Sequence, residues 1–420
     1  MRSKPDRDPG SSAARDAIAR GPVWTLRGTP DYRRINAALF VAGLAIFSLL
    51  YCVQPLLPNF AAEYQVGAAE SSLAVSLATG LLALSILVAG TLSDTLGRKN
   101  VMAASLLAAA VLNLAIAFTP NWPLLLLGRA LEGMALGGAP AVAMAYLAEE
   151  IHPGGLGYAM GLYVGGTAIG GLSGRVITGF VAEHFGWRAA IGTIGVLGLV
   201  AAIGFMVLLP PSKNFAGKPP ARLGLHVASL LQNFGKPGLP WLFLCGALWM
   251  GGFVTLYNYA GFRLQAPPYS LDQAQSGLVF SLYALGTLAS ASAGAAADRI
   301  GRPTVLLGTV ATGLIGLVIT LAAPLWAIIV GIGLFTVGFF GGHAVASGWV
   351  GRLAGPAKGQ AASLYLLAYY LGSSLLGSIG GLFWTSGKWP AVVGFIATLL
   401  VTLAVATSRL WSLPTPDADR

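Results

Sequence analysis

Long apolar runs recur along most of the chain, and they constrain its fold more than any other feature of the sequence. From Ile35 onward the runs are long enough to cross a bilayer as helices, which takes about 20 apolar residues each. Only 10% of the 420 residues are charged, whereas soluble chains carry about 25%. The sequence therefore predicts an all-α integral membrane protein, because helices satisfy their own backbone hydrogen bonds inside lipid.

Twelve spans, numbered 1 to 12 in chain order, fit these runs. Spans 1 to 6 are predicted near residues 35–57, 71–91, 100–119, 122–148, 156–182 and 188–209. Spans 7 to 12 are predicted near residues 239–263, 274–297, 303–323, 325–350, 361–384 and 389–409. The predicted domains are a polar leader (1–34), a first six-helix half (35–209), a linker (210–238), a second six-helix half (239–409) and a tail (410–420).

A charged segment occurs at corresponding positions of the two halves. Residues 90–98 and 294–302 both read G-x-x-x-D-x-x-G-R, and the copies are 204 residues apart. We name them the first hairpin (Gly90, Asp94, Gly97 and Arg98) and the second hairpin (Gly294, Asp298, Gly301 and Arg302). Three further matches occur in chain order, at offsets of 206 residues between spans 1 and 7, 204 between spans 4 and 10, and 202 between spans 5 and 11. This repeat predicts two parallel, pseudo-symmetric halves with a ligand site between them near mid-membrane.

Basic residues are concentrated in alternate loops. One set of loops contains Arg33, Arg34, Arg98, Lys99, the basic residues from Lys213 to Lys236, Arg299, Arg302, Arg352, Lys358 and Arg409. The other set contains only Arg188, Arg263 and Lys388. The positive-inside rule then predicts that the leader, the linker, the tail and both termini are cytoplasmic. Topology accounts for the net charge of +10, and we expect no nucleic-acid partner.

The first hairpin resembles the signature loop between spans 2 and 3 of the major facilitator superfamily, which has a weaker copy between spans 8 and 9. The resemblance covers residues 35–409 and implies that superfamily's twelve-helix fold, with halves that rock to give alternating access. The Gln54-Pro55 end of span 1 and the glycines of span 5 are most similar to the bacterial arabinose/drug:proton antiporter branch. That branch implies a multi-pass inner-membrane protein that exports a drug or metabolite in exchange for protons. We expect it to work in the lipid bilayer as a monomer.

Two charged residues lie deep in span 4. Arg129 and Glu132 are three residues apart, so they share a helix face and can pair. Glu132 is the only carboxylate predicted to lie deep in a span, where charges usually face the bundle interior or a water-filled cavity. Arg129 with Gly133 resembles the R-x-x-x-G motif that the drug:proton antiporters use in proton coupling. The resemblance implies that Glu132 and Arg129 couple protons to transport, and a structural ion pair between spans 4 and 1 is the alternative.

His343 in span 10 is a second titratable candidate for proton coupling, and a packed histidine that only forms hydrogen bonds is the alternative.

Span 5 contains closely spaced glycines from Gly157 to Gly179, which let two helices approach closely. Arg175 lies among them, and two interpretations are open: it points into a cavity or it pairs locally.

The spans that face the cavity in this superfamily contain aromatic and amide side chains, which suit amphipathic or weakly polar ligands. The resemblance implies a substrate cavity lined by Tyr51, Gln54, Tyr163, Arg175, Trp249, Tyr257, Asn258, Tyr365 and Tyr369. The alternative for individual aromatic residues is the belt at the membrane–water interface.

The sequence has no Walker A loop, no metal-ligand cluster and no G-x-S-x-G elbow. We therefore expect no enzymatic activity and no cofactor, and transport driven by an ion or substrate gradient. Three alternatives remain beside proton-coupled export. The same scaffold could take up a small metabolite with protons, or flip an amphipathic lipid. A membrane sensor or assembly factor is the third, and the absence of a sizeable soluble domain argues against it.

Overall fold

The computed structural model describes residues 23–215 and 232–411. Within these ranges no strand occurs apart from an isolated bridge between Thr25 and Ile151. Ten helical segments there are long and apolar enough to cross a membrane: Pro30–Glu63, Ala68–Leu96, Arg98–Ile116, Trp122–Glu150, Pro153–Leu208, Leu239–Gln265, Gln273–Ile300, Arg302–Ile319, Leu325–Ala354 and Lys358–Leu410. Much of the predicted leader and linker, and nearly all of the tail, lie outside the described residues.

Two of the ten segments are long enough for two crossings each. Pro153–Leu208 has 56 residues and Lys358–Leu410 has 53, whereas one crossing needs about 20. Non-helical backbone interrupts both, at Gly186 in the first and at Gly387 and Lys388 in the second. These breaks fall where the sequence predicts the boundaries between spans 5 and 6 and between spans 11 and 12. The described chain therefore supplies twelve crossings, and the predicted all-α membrane fold is confirmed.

The second glycine of each hairpin forms the whole turn between two spans. Gly97 separates spans 2 and 3 with φ 91°, and Gly301 separates spans 8 and 9 with φ 90°. Residues with a side chain rarely adopt such a positive φ without strain, so glycine is required at both places. The two copies of the motif therefore share one backbone geometry.

Several spans change helical geometry along their length. The component helices and 3-10 turns are Pro30–Tyr51, Gln54–Leu56 and Leu57–Glu63 in span 1, Ala68–Ser71 and Leu73–Leu96 in span 2, Trp122–Leu136 and Pro140–Glu150 in span 4, and Gln273–Leu278, Val279–Tyr283 and Ala284–Ile300 in span 8. Span 1 begins earlier than predicted because the Thr29 hydroxyl caps its first turn, accepting from Tyr32 N at 3.2 Å. Pro30 also fits the first helical position, where no backbone N–H is needed.

Glycines bring span 5 into backbone contact with span 1. A Cβ added to Gly166, Gly170 or Gly174 would lie within 3 Å of the span 1 backbone. In the second half, a Cβ added to Gly372 of span 11 would meet the backbone of span 7 at Ala247 in the same way. The spacing of small residues in span 5 thus leads to the close helix packing that it predicts.

Polar side chains tie the loops together at each end of the bundle. We call the end with Gly97 and Gly301 the hairpin end, and the other the opposite end. At the hairpin end, the Glu150 carboxylate accepts from Lys213 N at 3.0 Å and its carbonyl accepts from Thr25 N at 2.8 Å. At the opposite end, Glu63 pairs with Arg188 at 2.7 Å. These contacts fix the loops between spans without any sheet.

Candidate functional site

The two six-span halves meet through polar and small residues near the opposite end. Gln54 of span 1 donates from Nε2 to Asn258 Oδ1 of span 7 at 2.7 Å. Gln273 of span 8 donates to a main-chain carbonyl of span 1 at 2.6 Å, and Ser374 of span 11 donates to the Ser76 carbonyl of span 2 at 2.7 Å. Hydrogen bonds between the halves therefore close the interface at this end.

Toward the hairpin end, spans 5 and 8 separate. A Cβ added to Gly179 of span 5 would meet the Cα of Gly277 of span 8 at 3.0 Å. Gly161 lies 18 residues earlier on the same face of span 5, because a helix has about 3.6 residues per turn. A Cβ added to Gly161 would meet nothing within 4 Å. Among the described residues, these two spans are therefore in contact near the opposite end and apart toward the hairpin end.

Arg175 of span 5 lies in the closed part of the interface, where its side chain is buried. Its Nε donates to Gln54 Oε1 at 2.7 Å, and its Nη1 donates to the Gly171 carbonyl one turn earlier. The guanidinium carbon is 4.4 Å from the ring centre of Tyr51 in the first half and 4.6 Å from that of Tyr283 in the second. Arg175 therefore has local partners and also contacts rings of both halves, and its direction into a cavity stays a prediction.

A series of rings, which we call the aromatic row, extends from Arg175 into the second half. Its members, in order, are Tyr283, Phe253, Phe339, His343 and Tyr369, and successive ring centres are 5.1, 3.7, 6.1 and 4.7 Å apart. His343 is half-buried, and its Nδ1 lies 2.9 Å from the Tyr365 hydroxyl. The aromatic row therefore connects the buried cation of span 5 with the titratable ring of span 10.

The Arg129 and Glu132 side chains are fully buried inside the first half. Arg129 Nη1 lies 2.5 Å from Glu132 Oε2, and Glu132 Oε1 accepts from Asn113 Nδ2 of span 3 at 3.0 Å. The two residues therefore form the ion pair that their spacing predicts. Glu132 therefore bonds within the first half, to spans 3 and 4.

Arg129 is also bonded to the backbone of two neighbouring spans. It donates to the Leu49 and Leu50 carbonyls of span 1 and, at 2.9 Å, to the Ala74 carbonyl of span 2. These contacts are the ones that a structural ion pair between spans 4 and 1 requires. Proton coupling depends on how the pair changes between conformations, so that role stays a prediction.

The predicted cavity residues divide into two groups. Tyr51, Gln54, Arg175 and Asn258 meet at the closed interface, and Tyr365 and Tyr369 lie beside His343. Tyr163 of span 5 is buried, and its hydroxyl has no hydrogen-bond partner. The structure therefore brings the first six of these residues to the interface or to the aromatic row that extends from it, and the Tyr163 carbonyl lies against Gly43 of span 1.

Trp249 and Tyr257 of span 7 have mainly second-half surroundings. The Trp249 ring packs against Phe335 and Phe339 of span 10, so it lies inside the second half. The Tyr257 hydroxyl lies 2.8 Å from the Thr336 hydroxyl, and its ring stacks on Phe280 of span 8. Trp249 therefore does not join the residues that meet Arg175, and Tyr257 reaches them through span 8.

Span 8 supplies contacts that the sequence analysis missed. Phe280 and Tyr283 both lie over the Arg175 guanidinium, and Gln273 bonds to the first half. Phe280 and Tyr283 are three residues apart, so they share a helix face, and this spacing was the available signal. Gln273 stands at the first turn of span 8, where Asp272 caps the helix, and nothing in its sequence context indicates a partner in span 1.

The hairpins form ion-pair networks at the ends of spans 4 and 10. Arg98 pairs with Asp94 at 2.6 Å and with Glu149 of span 4 at 2.7 Å. In the second hairpin, Asp298 pairs with Arg302 at 2.9 Å and with Arg352 of span 10 at 3.2 Å. In the first hairpin the arginine forms the ion pair with the neighbouring span 4. In the second hairpin the aspartate forms the ion pair with the neighbouring span 10.

Comparison with known proteins places the sequence among transporters. Residues 39–270 and 265–420 match the profile of the Major Facilitator Superfamily. The uncharacterized MFS-type transporter YybF of Bacillus subtilis (strain 168) is 46% identical over 396 residues, which cover 94% of this chain and 98% of that protein. The inner membrane transport protein YnfM of Escherichia coli (strain K12) is 44% identical over 409 residues, covering 96% of this chain and 97% of that protein.

The fold also matches solved structures. A bacterial homologue of the human lysosomal transporter Spinster, in an inward-facing and unoccupied conformation, superimposes with a TM-score of 0.71. The match covers 91% of this chain and 95% of that chain at 12% sequence identity. At this identity, the likeness concerns the fold alone.

Proposed function

The chain belongs to the Major Facilitator Superfamily of membrane transporters, and from this premise we propose that it exports a small organic molecule across the bacterial inner membrane in exchange for protons. The proposal includes the arabinose/drug:proton antiporter branch, the two-half division of the chain, and cytoplasmic termini. With the hairpin end in the cytoplasm, the separation of spans 5 and 8 corresponds to an inward-facing state. Rocking of the halves about their interface would then give alternating access.

One observation supports proton coupling above the others: Glu132 is a fully buried carboxylate in contact with Arg129 and an amide. A buried carboxylate is stabilised as an anion by the neighbouring cation, while removal from water favours its neutral form. Small changes in hydration between conformations can therefore change its protonation. Protonation of Glu132 from the periplasmic side would weaken its bond to Arg129, and the neutralised carrier would reorient.

Gly133, the residue after Glu132, brings span 4 into close contact with span 2. A Cβ there would meet the backbone of span 2 at Ala78 within 3 Å, so spans 2 and 4 are in close contact beside the pair. A shift of span 2 would alter the Ala74 carbonyl that accepts from Arg129. This contact couples the position of a helix that reaches the interface with the environment of Glu132.

Transport by the purified protein in liposomes tests the proposal. Liposomes hold a pH-sensitive dye, and a panel of small organic compounds is added under an imposed pH gradient with no other ion gradient. We expect accumulation of a substrate on the acidic side and alkalinisation of that side. Movement of protons in the same direction as the substrate would replace antiport by the symport alternative. Substrate transport that does not depend on the pH gradient would refute proton coupling.

A further inference from the structure

The interface between the halves contains a cation for which the described residues provide no carboxylate partner. Arg175 lies 11 residues before the break at Gly186, which corresponds to about 16 Å along the helix and a position near mid-membrane. Arg129, the other deeply placed arginine, is neutralised by Glu132. Arg175 is absent from the ion pairs among the described residues. The positive charge of Arg175 is therefore not paired with a carboxylate among the described residues.

We propose that Arg175 binds the carboxylate of a small organic anion whose body is aromatic. This inference rests on the proposed function, because it takes the interface between the halves as the transport site. A buried charge is costly in a membrane unless it is paired. An anion would supply the missing pair, whereas a cation would add a second uncompensated charge. The interface is therefore better suited to an anionic ligand than to a cationic one.

The guanidinium has donors available for a carboxylate. It carries five N–H groups, of which the bonds to Gln54 and Gly171 use one from Nε and one from Nη1. A carboxylate matches the planar fork of an arginine with two parallel hydrogen bonds. Lysine would provide charge without this fork, which gives a test of the geometry. Arg175 is therefore able to accept a ligand without first breaking both of its protein contacts.

Aromatic rings surround the cation from both halves. Tyr51 of span 1 and Tyr283 of span 8 cover it at 4.4 and 4.6 Å, and the aromatic row extends from Tyr283 toward His343. A ligand ring would pack against these rings in offset or edge-to-face geometry. The buried hydroxyl of Tyr283 has no hydrogen-bond partner, so it remains free to bond a polar group of the ligand. The rings and this unpaired hydroxyl together favour an aromatic acid.

Ligand binding at this position would act on the closure of the interface. In the described structure Arg175 is held by Gln54, and Gln54 also bonds Asn258 across the halves. A carboxylate that competes with the Gln54 carbonyl for Arg175 would loosen this chain of contacts. Substrate binding and opening of the opposite end are thereby linked through one side chain.

Equilibrium binding to the purified full chain in detergent, at one pH and without a gradient, tests the inference. The probes are benzoate, phenylacetate and naphthalene-2-carboxylate, each paired with its uncharged amide of the same shape. Calorimetry should give tighter binding of at least one anion than of its amide, by tenfold or more. Arg175→Gln should reduce that preference to less than threefold, and Arg175→Lys should retain part of it. Arg188→Gln removes an exposed cation at the opposite end and should behave like the wild type.

Two results would overturn the inference. One is that none of the three anions binds the wild-type protein better than its amide, which needs no variant to establish. The other is that Arg175→Gln, with an unchanged melting temperature, still prefers the anion over its amide as strongly as the wild type does. Equal weakening of acid and amide by Arg175→Lys would assign Arg175 to closure of the interface instead. Anion binding in a protein that fails to couple export to protons would refute the proposed function and leave this inference standing.

Discussion

Replacing Glu132 with glutamine separates the charge of the span 4 pair from its shape. Glu132 accepts one hydrogen bond from Arg129 and one from Asn113 Nδ2. Asn113 Oδ1 has no partner, so a half-turn of its amide would let it accept from the new glutamine Nε2. The glutamine carbonyl would still accept from Arg129, which also keeps its three main-chain acceptors. The variant therefore loses charge compensation while the glutamine keeps two partners, and the turned Asn113 Nδ2 gives up its contact with Cys52 Sγ.

The structure sets the expected magnitudes. Hydrogen bonds to charged groups contribute about 1.5–3 kcal/mol, and part of one such bond is lost in Glu132→Gln. We expect its free energy of unfolding to fall by about 1–3 kcal/mol. Glu132→Ala leaves the Arg129 charge without its partner, which costs about 3–5 kcal/mol for a buried pair. Thermal unfolding in detergent should therefore rank wild type above Glu132→Gln, and Glu132→Gln above Glu132→Ala.

Transport gives the decisive readout for Glu132→Gln. We expect loss of export driven by a pH gradient, while substrate binding and passive exchange between labelled and unlabelled substrate are retained. Glu70→Gln neutralises an exposed carboxylate at the opposite end and should transport like the wild type. A Glu132→Gln protein that still concentrates substrate at the expense of the pH gradient, with unchanged stoichiometry, would exclude Glu132 as the coupling group. His343 and Asp94 would be tested next.

Three other predictions concern topology, conformation and packing. Phe215→Cys and Ser386→Cys should react with impermeant thiol reagents from the cytoplasm and the periplasm respectively, and reaction of both from one side would refute the predicted topology. Asp94→Asn should shift the protein toward the inward-facing state by about 2- to 30-fold, the equivalent of a lost helix-dipole contact of about 0.3–2 kcal/mol in the outward-facing state. Accessibility probes that detect no shift would make the hairpin a structural turn. Gly170→Ala should lower stability by about 1–3 kcal/mol through overpacking, whereas Gly161→Ala has free space, and equal melting temperatures would contradict this.

The span boundaries were predictable because length and hydropathy determine where a helix can cross a membrane. The breaks at Gly186 and at Gly387 fall in the predicted gaps, since flexible and polar residues interrupt the apolar runs there. The repeated hairpins predicted one shared turn, and Gly97 and Gly301 have the same φ to within one degree. These features depend on local sequence, so they need no knowledge of neighbouring helices.

The direction of individual side chains was not predictable in the same way. In a membrane helix, lipid-facing and protein-facing surfaces are both apolar, so hydropathy does not separate them. Trp249 was expected in the substrate cavity, and its ring packs against Phe335 and Phe339 of span 10, so it meets the aromatic row and not Arg175. Tyr283 was missed although its spacing from Phe280 places both rings on one face of span 8, because that spacing does not say which helix the face meets. Contacts between the halves also depend on the conformation, which sequence alone does not specify.

The hydrogen bond between Gln54 and Asn258 has a consequence for how the two halves diverged. Spans 1 and 7 match at an offset of 206 residues, from Tyr51 to Tyr257, so the counterpart of Gln54 is Ala260 and that of Asn258 is Cys52. A dimer of identical six-helix chains would form the Gln54–Asn258 contact twice, because residue i of each copy would meet residue j of the other. In this chain the second position holds Cys52 and Ala260, and an alanine side chain has no donor or acceptor. The amide contact therefore exists in one copy only, and Arg175, with Gly377 as its counterpart in span 11, is likewise confined to one half.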